Sequence, residues 1–148
     1  MSSQRVLISA CLLGQRCRYD GGDKQAPALI AALKEHGVET VPFCPEEAGG
    51  LPTPRPPCVI EGGDGAAVLD GTARVVDNLG LERTEAYLAG ARLALQVAVE
   101  NGCRAAYLKE RSPSCGCAQT ATDRGRVAGS GVTTALLRRH SIATISVD

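Results

Sequence analysis

The chain has 148 residues, 44% hydrophobic and 22% charged, with 16 Lys and Arg against 16 Asp and Glu. That length fits one domain, residues 1–148, which should bury roughly two-thirds of its unfolded surface and needs no disulfide staples. Zero net charge disfavours a broad grip on a polyanion, the composition excludes disorder, and one Phe, three Tyr and no Trp offer no stacking platform for single strands. The apolar runs are too short to span a membrane, and no charged segment followed by an apolar stretch opens the chain as a secretory signal would. A cytoplasmic setting is therefore expected.

Residues 5–10 form a short apolar run and read as a buried strand. A polar, turn-rich stretch follows, through Asp20-Gly21-Gly22-Asp23. Pro27 suits a helix start, and residues 28–36 continue that helix until Gly37 stops it. Residues 38–43 read as a second strand, with Pro42 allowed near its end. Residues 44–57 carry five prolines and two glycines and are expected as a long, stiff loop without regular structure. Residues 58–61 fit a short strand. Residues 66–69 and 73–76, split by Asp70-Gly71-Thr72, look like a β-hairpin.

The clearest helix spans 82–100. Polar residues recur at 82, 85, 92, 96 and 100, with Tyr87, Leu88, Ala91, Leu95, Ala98 and Val99 opposite, and Asn101-Gly102 ends it. Residues 105–108 give a third buried strand. Residues 132–140 give a helix behind Gly129-Ser130-Gly131, and 142–147 the last strand. Strands alternating with helices indicate parallel βαβ units. The expected fold is α/β: a single three-layer, Rossmann-like domain with a mostly parallel sheet and a small β-hairpin insertion.

Seven cysteines, at 11, 17, 44, 58, 103, 115 and 117, are the compositional anomaly. The number is odd, and no secretory context supports a disulfide framework. Ligands of parallel α/β sheets bind beyond the carboxyl ends of the strands. Cys11, Cys44 and Cys115 each follow one of the first three predicted strands of the sheet, so three loops can bring three thiols to one edge. The others fit less well: Cys58 starts a strand, Cys103 lies at the wrong end of one, Cys17 falls in a mobile-looking loop, and Cys117 is offset by two. Three thiolates suit a zinc site needing one more ligand, or an iron–sulfur cluster with one iron not held by protein. No C-x-x-C spacing supports a zinc knuckle. Buried structural cysteines and a single nucleophilic cysteine remain open on spacing alone.

A resemblance spans nearly the whole chain. Ser9-Ala10-Cys11-Leu12-Leu13-Gly14, Cys17-Arg18-Tyr19-Asp20-Gly21, Cys44-Pro45-Glu46, the run Gly49 to Pro57, Lys109-Glu110-Arg111-Ser112-Pro113-Ser114-Cys115-Gly116 and Gly129-Ser130-Gly131-Val132-Thr133 occur in the order found in the thiouracil desulfidase family. The chain resembles that family's stand-alone type, and its length does not match the longer relatives that add a domain and act on tRNA. The resemblance implies a 4Fe–4S cluster held by Cys11, Cys44 and Cys115, its fourth iron open to substrate. It also implies non-redox removal of sulfur from a thiolated uracil, 4-thiouracil or 2-thiouracil, as base, nucleoside or a nucleotide such as 4-thio-UMP. The products are the oxo base and hydrosulfide. Glu46 and Ser112 match the family's catalytic positions.

The implied chemistry is coherent. A thiocarbonyl sulfur and an exposed iron are both soft, and coordination draws electron density from the C=S carbon, which water then attacks. Glu46 would serve as general base and later as acid, with the Ser112 hydroxyl orienting the water or the base edge. The plainer readings are a Glu46–Arg55 ion pair and a turn hydroxyl before Pro113. Arg18, Arg55 and Arg111, in the same three loops, are candidates for a substrate phosphate, as is Ser130 before the last helix. Lys24 could neutralise cluster or substrate charge. Neutral net charge favours a small substrate over intact tRNA, and a monomer or weak homo-oligomer is expected. Two rivals remain: a non-catalytic iron–sulfur or zinc-binding sensor module, which would leave a thiobase unchanged, and a cysteine-nucleophile enzyme indifferent to metal.

Overall fold

The computed structural model describes residues 4–110 and 112–147. In chain order the elements are strand β1 (Arg5–Ser9), a 3-10 turn (Ala10–Leu13), helix α1 (Pro27–Glu35), β2 (Glu39–Phe43), α2 (Pro45–Ala48), β3 (Cys58–Glu61), α3 (Gly65–Leu69), β4 (Arg74–Asp77), α4 (Thr84–Glu100), β5 (Ala105–Lys109), β6 (Gln119–Thr122), β7 (Gly125–Ala128), α5 (Val132–Arg139) and β8 (Ala143–Val147). No helix among the described residues is long and apolar enough to cross a membrane.

Strands β2, β1, β5 and β8 form one sheet in that order, every neighbour parallel. Alternation along β1 splits its side chains between two layers. Val6 and Ile8 pack with Leu12 and Leu33 on the α1 side. Leu7 packs with Ala94, Ala98 and Leu137 on the α4 and α5 side. Helices thus cover both faces of the parallel sheet, giving the expected three-layer, Rossmann-like α/β arrangement. Pro42 is tolerated because β2 is an edge strand.

The second sheet, in the order β4-β3-β6-β7, is larger than the expected insertion. It packs Ile60 and Val75 against Val68, Tyr87, Ala91 and Val132, so α4 and α5 lie between two sheets. The hairpin expected from residues 66–69 and 73–76 does not form. Residues 65–69 are helical because Asp64 caps them, its Oδ1 accepting from Ala67 N at 3.2 Å. The partner of β4 is instead β3, with Val75 opposite Ile60 and Val76 opposite Val59. Strands β6 and β7, in a stretch that reads only as polar, pair around Asp123-Arg124, with Thr122 Oγ1 bonded to both Arg124 N and Gly125 O.

Two further expectations are corrected. Residues 45–48 are not loop but one helical turn, because a proline at the first helical position needs no N–H partner. The buried stripe of α4 is Tyr87, Gly90, Ala91, Ala94 and Ala98, whereas Val99 is 65% exposed. Small residues occupy this stripe because α2 lies backbone to backbone on α4. A methyl group on Gly90 would overlap the carbonyl oxygen of Pro45, and one on Gly49 would overlap that of Ala86.

Helix propensity alone predicts that Gly90→Ala stabilises α4 by about 1 kcal/mol. The overlap with the Pro45 backbone reverses the sign. Urea unfolding of Gly90→Ala should show a loss of about 1–3 kcal/mol, the range for overpacking.

Candidate active site and metal centre

The sheet order β2-β1-β5 sets three strand ends side by side. The chain leaving β1 carries Cys11, that leaving β2 carries Cys44 and Glu46, and that leaving β5 carries Ser112 and Cys115. All five line one cavity of about 400 Å³. Cys103 and Cys117 are instead packed in the core beside α4 and α5.

Glu46 sits on α2 and faces two buried partners. The Arg55 Nη2 lies 3.3 Å from its Oε2, with the Arg55 side chain 2% exposed and that of Glu46 18%. The Tyr87 hydroxyl, reaching up from α4, donates to Glu46 Oε1. Burial and the carboxylate together push the Tyr87 phenol well above its ordinary pKa, so it remains a donor. Burial opposes the charge on Arg55, but the groups facing it, Glu46 first among them, together outweigh that and hold the guanidinium above its usual value. Arg55 also donates to the carbonyls of Cys17, at 2.9 Å, and Pro52, at 3.2 Å, and to Thr53 Oγ1 at 2.9 Å. One arginine thereby orders the proline-rich loop, fixes the Cys17 turn and orients Glu46.

Ser112 lines the same cavity. Its Oγ accepts the Cys115 N–H at 2.6 Å, so the hydroxyl and the thiol of Cys115 are locked in one turn. That turn is pinned twice. The first N–H groups of α5 donate to the carbonyls of Pro113 and Ser114, Val132 N at 2.8 Å and Thr133 N at 2.9 Å. The Glu110 carboxylate, itself buried, accepts the N–H groups of Cys117, Ala118 and Gln119 and the Ser146 hydroxyl.

Three of the thiols are pushed toward their neutral form. Contact with Cys11 and burial push Cys17 up to about 11, against a lowering contact with Cys44. The contact with Cys17 and burial raise Cys44. Burial raises Cys115, with the charges of Glu46 and Cys44 adding to it. Metal binding here must release protons, as for any thiolate site.

Several expectations about individual residues change. Arg18 and Lys24 line the cavity, but Arg55 does not; it stands behind Glu46. Ser130 does not line it either, and the α5 N-terminus expected to bind an anion is occupied by carbonyls. Arg111 lies outside the described residues. The loop holding Cys17 is not loose: its thiol is buried against Cys11 and Cys44, and its carbonyl accepts from Arg55. Cys58 also lines the cavity, beside the Tyr87 hydroxyl. Tyr87 reads from sequence only as helix core, because periodicity reports the face a residue takes and not what its hydroxyl reaches. Lys109 and Arg126 add to the basic part of the lining among the described residues.

The sequence model of the 2-thiouracil desulfurase family matches residues 6–148. The uncharacterized protein YbbK of Bacillus subtilis (strain 168) is 42% identical over 144 residues, covering 95% of this chain and 94% of its own. A solved structure described as a 4Fe–4S-dependent thiouracil desulfidase, TudS, superposes with a TM-score of 0.82. It is 43% identical, and the match covers 97% of this chain and 91% of that one.

The Glu46 pairing has a measurable order of energies. Arg55→Met leaves a buried carboxylate without its counter-ion and should cost about 3–5 kcal/mol of unfolding free energy. Tyr87→Phe removes one hydrogen bond to a charged group and should cost about 1.5–3 kcal/mol. Urea unfolding of the two variants checks the order.

Proposed function

The chain belongs to the 2-thiouracil desulfurase family, and from that premise we propose that it is a 4Fe–4S desulfidase. It takes sulfur from a thiolated uracil such as 4-thiouracil, 2-thiouracil or 4-thio-UMP, giving the oxo base and hydrosulfide by hydrolysis of the carbon–sulfur bond. The whole chain, residues 1–148, is taken as one such unit, a monomer or weak homo-oligomer, working on a small molecule in a reducing, cytoplasmic setting.

One observation supports this above all: Cys11, Cys44, Cys115, Glu46 and Ser112 line the same cavity. The donor set fits the cluster. Three thiols from three fixed loops are the soft ligands that iron–sulfur clusters take, and three rather than four leaves one iron without a protein ligand. Arg18, Lys24, Lys109 and Arg126 around them offset thiolate charge. Cys11, Cys44 and Cys115 would hold the cluster. When bound, it supplies a soft Lewis acid for a thiocarbonyl sulfur.

The rest falls to the side chains. Glu46 takes the proton of the attacking water and later returns a proton to the product side, a role that requires it within hydrogen-bond reach of that water. Tyr87 and Arg55 fix which way its carboxylate points, leaving no rotamer search at the moment of reaction. Ser112 already accepts a backbone N–H, so its own proton is the one it can give to water or to the pyrimidine edge. The cavity of about 400 Å³, which cluster and base would share, is within the usual size of small-molecule sites.

The chain purified without oxygen should contain about four iron and four sulfide, as a cubane requires, and should bleach the thiobase absorbance of 4-thio-UMP. Cys115→Ala should lose the iron. Glu46→Gln and Ser112→Ala should keep it while kcat falls by about 10²–10⁴. Absence of iron after anaerobic reconstitution would refute the desulfidase.

A further inference from the structure

Cys17, like Cys58, is a thiol at this cavity that desulfidation does not use. Its Sγ, the Sγ of Cys44 and a carboxylate oxygen of Glu47 all lie within 4.8 Å of one another. The three are set by separate contacts. Arg55 Nη2 holds the Cys17 carbonyl at 2.9 Å, and the Cys44 thiol donates to that same carbonyl at 3.7 Å. The Thr53 hydroxyl donates to Glu47 Oε2. The Cys11 thiol is also in contact with that of Cys17.

We propose that Cys17, Cys44 and Glu47 form a second metal site, for a single soft divalent cation of the zinc class, in the chain that carries no cluster. Zinc takes sulfur at about 2.3 Å, so the edge of its tetrahedron between two sulfurs is roughly 3.8 Å. Donors already within 4.8 Å of each other need close by only about 1 Å, a side-chain adjustment. The cysteines of a cubane cluster spread around a body of eight atoms and stand wider apart than donors of one ion. The Cys17, Cys44 and Glu47 donors are therefore a mononuclear arrangement, not a corner of the cluster. Two thiolates and one carboxylate select zinc over magnesium or calcium, which want oxygen alone. Cys17 is buried and Glu47 exposed, so the fourth position is open to water from the solvent side or to the Cys11 thiol.

The site stands on these donors whether or not the chain is a desulfidase. One consequence does rest on that reading: Cys44 serves both groups, so an ion seated with Cys17 and Glu47 withholds a cluster ligand, and the two occupants exclude each other.

The test uses the full chain stripped of iron and sulfide by a chelator, titrated with Co²⁺ alone and then with Zn²⁺. One ion per chain is expected, with sulfur-to-cobalt charge-transfer bands and a tetrahedral visible spectrum. Cys17→Ser should cut the charge-transfer intensity by about half with water in the fourth position, or by about a third with Cys11 there, one thiolate being removed. Glu47→Gln, at an exposed position, should keep the intensity and weaken Zn²⁺ binding by at least about tenfold, since outer partners alone cost that much. Cys115→Ala should titrate like the parent. A parent-like titration in Cys17→Ser, or loss of the ion in Cys115→Ala, would put the metal on the cluster cysteines and overturn the site. Circular dichroism of each variant confirms that it is folded. Anaerobic cluster assembly is followed separately: prebound Zn²⁺ should block it in the parent and not in Cys17→Ser. Failure of assembly in the metal-free parent would refute the desulfidase and leave the zinc site standing.

Discussion

Helix α2 rests on α4 with no side chains between them, and the geometry of the cavity depends on that contact. Gly49 and Gly90 leave room for the carbonyls of Ala86 and Pro45 to come against the opposite backbone. The close approach brings a one-turn helix, too short to be stable alone, onto a seventeen-residue one. It also sets Glu46 above Tyr87, one turn before Gly90 on α4, so the hydroxyl meets the carboxylate. A wider crossing would take the carboxylate away from the hydroxyl of Tyr87, at 1% exposure, and leave it beside the Cys58 sulfur, a weak acceptor.

Placing a carboxylate in that position carries a desolvation cost, and the fold meets it with charge rather than with water. Arg55 is the counter-ion, and its other bonds tie it to the Pro52–Thr53 loop and to the Cys17 turn. Buried pairs gain little net stability over an apolar filling, but they fail badly when one partner is lost. The arrangement is therefore better understood as a device for direction than for stability. It fixes Glu46 relative to the thiols on either side and couples three loops through one side chain.

How far the sequence reveals this follows from what each signal measures. Strand and helix periodicity is a signal about faces, and it identified β1, β2, β5, β8, α1, α4 and α5 to within two residues or so. Knowing that three cysteines follow three strands of one parallel sheet was enough to send them to one edge. Short apolar runs carry no period, so residues 66–69 were read as strand when Asp64 capped them as helix. Composition misled at residues 45–48, where proline started a helical turn, and at 119–128, where polar residues paired as strands because Thr120 and Thr122 are buried. Arg55 was legible as a partner of Glu46 and also as a phosphate ligand, and only its burial decides between them. Cys17 and Tyr87 were illegible for one reason: the part each plays at the site rests on a tertiary contact, with Arg55 and with Glu46, which no local spacing records.

The same logic explains why the thiols need no local motif. In a zinc finger the metal closes a short loop and folding waits for it. Here the parallel sheet closes the loops first, since β2, β1 and β5 are neighbours with apolar cores of their own on both faces. Loop-closure entropy is spent in forming the sheet and not again in binding. Gathering thiols before any metal arrives would be unfavourable if they were charged. Burial and mutual contact favour the protonated form of Cys17, Cys44 and Cys115, which lowers thiolate repulsion in the gathered state. The charge appears only as a metal displaces the protons, and the cations lining the cavity are already in place to receive it.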